Sequence, residues 1–326
     1  MKNRLLNFLS VILATALGVF SAISVNAETL VTWEDFPDYV FYVDISDSQG
    51  NSTYAVSSYV GENPDPVIPT SAHGHSILRL GEKCFYNNSI VKSITMHDNM
   101  THIRKWAARS CSNLNNVYYS NKMVVIDDYA FANNPVMDSA LLRNTVINTI
   151  GVGAYSTDPM LKYVAFPNTL KVIGEKAFLQ TNMEKIVIPQ GVEEIGKRAF
   201  SSSTALKTIY IPSTVKKIDQ YAFYLSDNVT VYCQINSYAQ EFCETYNVNY
   251  KLITAEDYPS NILADVNNDK VLNIRDVTTM QIELAKGEST EFLSQNCDVN
   301  ADCKFDVNDV TYLQKYLAKV YDSFPY

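Results

Sequence analysis

The chain is poor in the residues from which most catalytic and metal centres are built. Its 326 residues include four His and two Trp, which excludes a site assembled from many imidazoles and leaves room only for a small one. Basic charge is also short. Lys and Arg number 26 against 35 Asp and Glu, a net charge of −9. That balance speaks against a basic nucleic-acid stripe. Charged residues make up 19% and apolar residues 47%, a mixture that excludes disorder as the main state. No Gly-x-Ser-x-Gly elbow and no His-Glu-x-x-His pair occurs. A glycoside hydrolase needs two carboxylates flanking a sugar cleft, yet Glu175, Glu193 and Glu194 fall in expected turns without a visible partner. No enzyme is expected.

Long apolar runs are scarce too. One spans Leu5 to Val25, behind Lys2 and Arg4 and ahead of Val25-Asn26-Ala27. A basic start, an apolar middle and a small-x-small end read as a secretory signal peptide over residues 1–27, with an uncleaved membrane anchor as the alternative that the Val-Asn-Ala end disfavours. No later stretch approaches the ~20 apolar residues of a spanning helix, so the mature chain is expected to carry no membrane span and to lie outside the cell. Its six Cys (84, 111, 233, 243, 297 and 303) are too sparse for a disulfide scaffold. The spacings Cys233/Cys243 and Cys297/Cys303 admit two local bridges. The length fits two modules.

What the sequence does have is a repeat. Ile173-Gly-Glu-Lys-Ala-Phe178 recurs as Leu80–Phe85, Ile126–Phe131, Ile150–Tyr155, Ile195–Phe200 and Ile218–Phe223, with a weaker copy at Ile103–Ala108. The starts are evenly spaced along the chain, the mark of a solenoid. A small residue and an aromatic sit four and five places after each start, as a tight turn against a core requires. Further on comes an apolar-x-apolar triplet: Ile94–Met96, Val117–Tyr119, Ala140–Leu142, Val164–Phe166, Ile186–Ile188 and Ile209–Ile211. Period two predicts one short strand per rung, ended by Pro167, Pro189 and Pro212. The middle residues Thr95, Tyr118, Leu141, Ala165, Val187 and Tyr210, continued by Tyr232, are expected outward as one charge-free ribbon. That composition suits an unknown protein or glycan ligand, or simply reflects β propensity.

These residues resemble the BspA-type leucine-rich repeat family, over about residues 36–253. The resemblance implies an irregular first rung at Tyr54–Pro69 and a closing helix at Ser237–Cys243, with Cys84 and Cys111 as small core residues. It implies surface or secreted binding proteins and no catalytic motif. Cys233 is expected to face Cys243. The histidines fall in one window (73, 75, 97 and 102), where His73, His75 and His97 would share an edge as polar loop residues or a small metal site.

The C-terminal stretch holds the sharpest motif. Asp265, Asn267, Asp269, Val271, Asn273 and Asp276 occupy positions 1, 3, 5, 7, 9 and 12 of one loop. Asp298, Asn300, Asp302, Lys304, Asp306 and Asp309 occupy the same positions of a second. Val271 and Lys304 would contribute their carbonyls. Such spacing wraps hard oxygens around Ca²⁺, one ion per loop and two in all. Val277, Met280, Ile282 and Leu284 follow the first loop, and Val310, Leu313, Tyr316 and Leu317 the second, as amphipathic helices. The pair resembles a type I dockerin over about 258–326. It departs at position 6, where Lys270 and Cys303 replace the usual Gly. The resemblance implies a cohesin partner on a scaffoldin. Its contacts would come from Ile274, Arg275, Gln281, Ile282 and Lys286 in one unit, and from Val307, Asn308, Gln314, Lys315 and Lys319 in the other. Tyr258, Pro259, Phe324, Pro325 and Tyr326 would either stack as the terminal clasp that some dockerins have or form a frayed tail.

The expectation is an α+β chain: a signal peptide (1–27), a leucine-rich-repeat solenoid of short parallel strands (28–253), a linker (254–260) and a small all-α dockerin with two Ca²⁺ loop–helix units (261–326). It would act as a non-catalytic, secreted cellulosome component in polysaccharide degradation. The competing readings are a free adhesin with a structural Ca²⁺ module and an atypical polysaccharide-degrading enzyme.

Overall fold

The computed structural model describes residues 30–32, 35–44, 53–72, 74–259, 264–266, 271–286, 297, 299 and 305–319. The expected signal peptide, His73, Asn267, Asp269, Lys270, Asp298, Asn300, Asp302, Cys303, Lys304 and the terminal residues 324–326 lie outside the described residues.

The repeats build a β-solenoid. Each rung contributes two strands rather than the single one expected. The additional strand is a two-residue segment ending on the repeat start, such as Val125–Ile126, Thr149–Ile150 or Val172–Ile173. These segments pair in parallel, placing Ile103, Ile126, Ile150, Ile173, Ile195 and Ile218 in register. Such segments are too short for period-two alternation to show in the sequence. The triplets form the other strands, from Ser93–Thr95 to Thr208–Tyr210, followed by Thr230–Gln234 and Tyr250–Ile253. Along this face the ladder breaks into separate parallel sheets, so the expected single ribbon is segmented.

Between the strands each rung turns twice through left-handed backbone. Lys83, Trp106, Tyr129, Lys176 and Arg198 have φ of 55–60°. Four places on, Asn87, Ser110, Asn133, Thr157, Gln180, Ser202 and Leu225 have φ of 56–63°. Side chains there carry roughly 1–2 kcal/mol of strain. The neighbouring rung offsets it: Trp106 N–H donates to the Asp128 carbonyl at 3.1 Å, and Tyr129 N–H to that of Val152 at 2.8 Å. At Gly153 (φ 58°) a Cβ would lie 2.4 Å from the Tyr129 ring, so only glycine lets that ring lie flat on the next rung.

The turns feed a stacked core. Ala107, Ala130, Ala154, Ala177, Ala199 and Ala222 are fully buried, leaving room for the aromatics beside them. Phe131, Tyr155, Phe178, Phe200 and Phe223 stack with centroids 5.5–6.0 Å apart and planes within 15°. Each buried ring contributes ~2–3 kcal/mol. Tyr155 adds a hydroxyl to this core and satisfies it at 2.9 Å on the Tyr119 hydroxyl.

Three places past the aromatic runs a buried polar ladder that sequence reasoning missed apart from Cys111. Cys111 N–H donates to Asn134 Oδ1 at 2.8 Å, Asn134 N–H to Asp158 Oδ1 at 2.6 Å, and Ser203 N–H to Ser226 Oγ at 3.0 Å. The Cys111 thiol donates to the Phe85 carbonyl at 3.0 Å, and burial pushes its pKa up to about 12. Cys84 is likewise buried, and burial holds its thiol well above the usual range. Both cysteines are core thiols, as expected.

The ends are closed differently. Strands β1 (Leu30–Thr32), β2 (Tyr39–Asp44) and β3 (Thr53–Tyr59) form an antiparallel cap joined in parallel to His75–Leu80. At the other end helix α1 (Tyr238–Tyr246) is N-capped by Ser237 and buries Ala239, Phe242 and Cys243. Phe242 meets Phe223 edge-on at 6.1 Å and ends the aromatic stack. Cys233 and Cys243 are both buried there as free thiols rather than a bridge.

Asp158 is the weak rung of the ladder. It is fully buried, and its second oxygen has no partner. Burial pushes its carboxyl well above the usual range. A carboxyl raised on folding contributes stability that is complete below its unfolded pKa of ~3.9 and lost as pH rises through the folded value. Asp158→Asn should therefore stabilise the repeats at pH 7 by roughly 1–3 kcal/mol, with the gain shrinking toward pH 4. Denaturant melts at both pH values check this.

Candidate functional site

The C-terminal unit is built from two equivalent halves. Helices α2 (Ile274–Lys286) and α3 (Val307–Leu317) meet through a small core of Ala264, Val266, Val277, Met280, Cys297, Val299, Val310 and Leu313. Position 12 of each loop draws its own loop inward. Asp276 Oδ1 accepts Val266 N–H at 2.9 Å, and its Oδ2 accepts Asn273 N–H at 2.9 Å. Asp309 repeats this on Val299 N–H at 2.8 Å and Asp306 N–H at 2.9 Å. Position 9 caps each helix: Asn273 Oδ1 accepts Arg275 N–H at 2.8 Å, and Asp306 Oδ1 accepts Asn308 N–H at 2.7 Å.

Asp265, Asp276 and Asp309 have no exposed surface. Burying ionised carboxylates without a cation is expensive, and Asp265 and Asp276 belong to one loop. This donor set fits a hard divalent ion. Residues Asp265, Val271, Asn273 and Asp276 would hold it in the first loop, and Asp306 and Asp309 within the second. The Val271 side chain is 58% exposed, which leaves its carbonyl as the group it would offer.

The expected partner contacts lie on the outside. Ile274 is 63% and Val307 66% exposed, and they occupy equivalent positions. Arg275, Gln281, Asn308, Gln314, Lys315 and Lys319 are also exposed. Ile282 is 49% exposed and outside the helix–helix core, so it does not continue the apolar face with Met280. Lys286 ends α2. Cys297 is a free, buried thiol, and its expected partner Cys303 lies outside the described residues. Burial raises its pKa well above the usual range.

On the repeats the expected column is real in register. Thr95 pairs with Tyr118, Leu141 with Ala165, Val187 with Tyr210, and Tyr210 with Tyr232. Two corrections apply. Ala165 is buried rather than outward and exposed. The column is also not free of charge. Lys185 Nζ lies 5.3 Å above the Tyr210 ring and Lys251 Nζ 5.6 Å above that of Tyr232, while those two rings stack at 4.7 Å. The C-terminal end of the face is thus a cation–aromatic belt.

Of the remaining candidates, His73 lies outside the described residues. His75 packs its ring 5.0 Å from Tyr54. His97 is half-buried, accepts Asn99 N–H at 3.3 Å on Nδ1, and has its pKa lowered by burial. Among the described residues no group of three His, Cys, Asp or Glu is arranged to hold a metal. Glu193 and Glu194 bond Lys216 and Lys217 of the next rung at 3.0 and 2.7 Å, and Glu175 bonds Lys176 at 2.8 Å. These are surface ion pairs, not paired catalytic acids. Tyr258, expected in a terminal clasp, is instead buried against Ile188 and Tyr210.

Known proteins match in two regions. A family model of the BspA type leucine rich repeat region matches residues 70–156 and 148–262, and one of the dockerin type I domain matches 263–318. Solved structures with a related fold include a leucine rich cell surface protein from Faecalibacterium prausnitzii (18% identity, 63% of this chain and 76% of that one, TM-score 0.45). Others are the T. pallidum leucine rich repeat protein (15%, 69% and 99%, TM-score 0.41) and the pneumococcal vaccine antigen PcpA (12%, 71% and 100%, TM-score 0.41). No curated protein matches the chain.

Asp276→Ala should abolish tight Ca²⁺ binding at the first loop, a loss larger than the roughly 10–100-fold that removing an outer-shell partner causes. Asp309→Ala should do the same at the second. Calcium titration by calorimetry checks this: each variant should retain one site, and the double variant none.

Proposed function

Since the chain belongs to the BspA-type leucine-rich repeat family and carries a type I dockerin domain at its C-terminal end, we propose that it is a non-catalytic, secreted component of a cellulosome. Dockerins of this type bind calcium, and their partner is a cohesin domain. The repeat and dockerin regions are both non-catalytic kinds, and no catalytic domain is matched. Among the described residues no helix is long and apolar enough to cross a membrane.

The observation that carries this reading is the duplicated loop–helix unit. Each half buries a position-12 carboxylate on the same two backbone N–H groups and exposes an apolar residue at position 10, Ile274 or Val307. Ion binding by those acids would fix the loops, and with them the helix faces that bear the recognition residues. Two Ca²⁺ ions then act as a folding latch for the cohesin-binding surface. The repeats supply a second surface, for a protein or a glycan met during polysaccharide degradation. Its elements are the aromatic column and its flanking lysines.

Calorimetric titration of the protein against a panel of scaffoldin cohesins tests this. Tight binding is expected with Ca²⁺ and none with chelator. Ile274→Asp or Val307→Asp should weaken binding by roughly 30-fold or more, as a buried hot spot would. Calcium-independent behaviour, or no cohesin bound at all, would move the reading to a free adhesin with a structural Ca²⁺ module.

A further inference from the structure

The turns between the short strands and the triplet strands stack into an edge of their own. Backbone bonds hold it in register: Lys83 N–H donates to the Lys105 carbonyl at 3.3 Å, Gly153 N–H to that of Glu175 at 2.8 Å and Lys176 N–H to that of Lys197 at 2.8 Å. Cations on this edge rest on aromatic rings. Lys83 Nζ and Lys105 Nζ lie 4.7 and 4.5 Å from the centre of the Trp106 ring, and the Arg109 guanidinium lies 5.7 Å from that of Tyr129. Toward the C-terminal end, Lys197 Nζ lies 6.0 Å from the Tyr221 ring and the Arg198 guanidinium 5.7 Å from the Tyr224 ring. A ring holds a cation in place without cancelling its charge. The carboxylates of the edge are engaged otherwise. Glu82 and Glu175 bond the lysine next to each, at 3.4 and 2.8 Å. Asp128 Oδ1 accepts Val152 N–H and Asp219 Oδ1 accepts Tyr221 N–H, both at 2.9 Å. By contrast, Lys216 and Lys217 are neutralised directly by Glu193 and Glu194. Trp106 and Tyr129 also stand in left-handed backbone, at φ 58° and 55°, where a bulky side chain is an outlier and where strain tends to mark function. Four places on runs a column of uncharged polar residues. Asn133 Nδ2 donates to Ser110 Oγ at 3.0 Å and Thr157 Oγ1 to Gln180 Oε1 at 3.4 Å, and Asn87, Asn133, Thr157 and Gln180 are exposed.

We propose that this edge binds a linear polyuronate, a polysaccharide with a carboxylate on each sugar, laid along the stack of rungs. Rungs repeat every ~4.8 Å, close to the length of one pyranose unit, so successive sugars meet successive rungs. The carboxylates face the ring-held cations, and the sugar hydroxyls face the amide and hydroxyl column. Charge favours this occupant over the two other kinds of polymer. The core of a protein interface is depleted of charge and rich in apolar groups, whereas both columns here are charged, aromatic or polar as far as Leu225. Duplex nucleic acid carries a charge every ~1.7 Å, too dense for sparse cations interleaved with Glu82, Asp128, Glu175 and Asp219 on a chain of net charge −9. The site uses neither the triplet face nor the C-terminal unit, so it stands or falls separately from cohesin recognition.

Calorimetric titration of the full chain with a long oligogalacturonate tests this, in chelator so that no calcium bridges the ligand to the acidic loops. Binding is expected, and it should weaken as salt rises. The methyl ester of the same oligosaccharide keeps the sugar rings and loses the charge, and should bind at least about tenfold more weakly. Lys105→Gln with Arg109→Gln, and Lys197→Gln with Arg198→Gln, should each weaken binding by roughly three- to tenfold. All four together should leave none measurable, with thermal melts like those of the wild type. A second readout needs no change at the edge. The chain has two Trp, so Trp33→Phe leaves Trp106 as the sole indole, and its emission should shift as the oligogalacturonate binds. No binding, equal affinity for acid and ester, full affinity in the four-charge variant, or an unchanged Trp106 emission at saturation would overturn the proposal. Binding lost in Lys251→Glu but kept in the edge variants would put the sugar on the triplet face instead. Tighter binding of polyglutamate or of duplex DNA at the same salt would make the partner a protein or a nucleic acid, and would equally overturn it.

Discussion

Everything in the repeat region depends on each rung lying in register on the next. A single rung is too short to enclose its own apolar side chains. Stacked in parallel, each position meets its own copy: Ile150 on Ile173, the Ala154 position on Ala177, Tyr155 on Phe178. The same register lets left-handed turn residues give their N–H groups to the neighbouring rung. It also aligns small polar side chains into a ladder that satisfies buried turn backbone. Strain of roughly 1–2 kcal/mol per left-handed residue is tolerable only because the stack supplies bonds and burial together, which is the nearest-neighbour logic of repeat proteins.

The C-terminal unit obeys a different constraint. Its helix–helix core is small, and three of its carboxylates are wholly buried. In water those groups would oppose folding; around a divalent cation they favour it. On the function proposed above, recognition by the C-terminal unit would be conditional on that ion. On the proposed function the two modules divide the work: the repeats present an extended face, and the C-terminal unit attaches the chain when calcium is present. Past the last repeat strand, Tyr258 anchors on the carbonyls of Ile188 and Tyr210.

Much of this was legible from residue order, because repetition amplifies weak signals. A single Ile-x-Ile triplet is ambiguous, but its recurrence at one spacing fixes strand, turn and core positions together. The loop carboxylates were legible because oxygen ligands need a spacing that chance rarely supplies. Three things escaped. The short strands ending on Ile126 or Ile150 are below the length at which alternation can be seen. The polar ladder mixes Cys111, Asn134, Asp158 and Ser203, so its shared role lies in small size and geometry, not in one residue type. The seat of Tyr258 depends on contacts with Tyr210 and Ile188, far back along the chain, and an aromatic after a strand carries no mark of where it docks. Lys185 and Lys251 were passed over too: Lys185 reaches the Tyr210 ring from beside the column, and Lys251 continues the column in register with Tyr232 on a strand that has no repeat triplet.

On the proposed function the solenoid folds without metal, while the C-terminal unit, and with it cohesin recognition, requires calcium. Differential scanning calorimetry of the full chain with Ca²⁺ and with chelator tests it most directly. The account predicts two transitions: a large one from the repeats that stays in place, and a small one from the C-terminal unit that moves down or vanishes when the ion is removed. A single transition shifting as a whole, or two transitions indifferent to calcium, would contradict it.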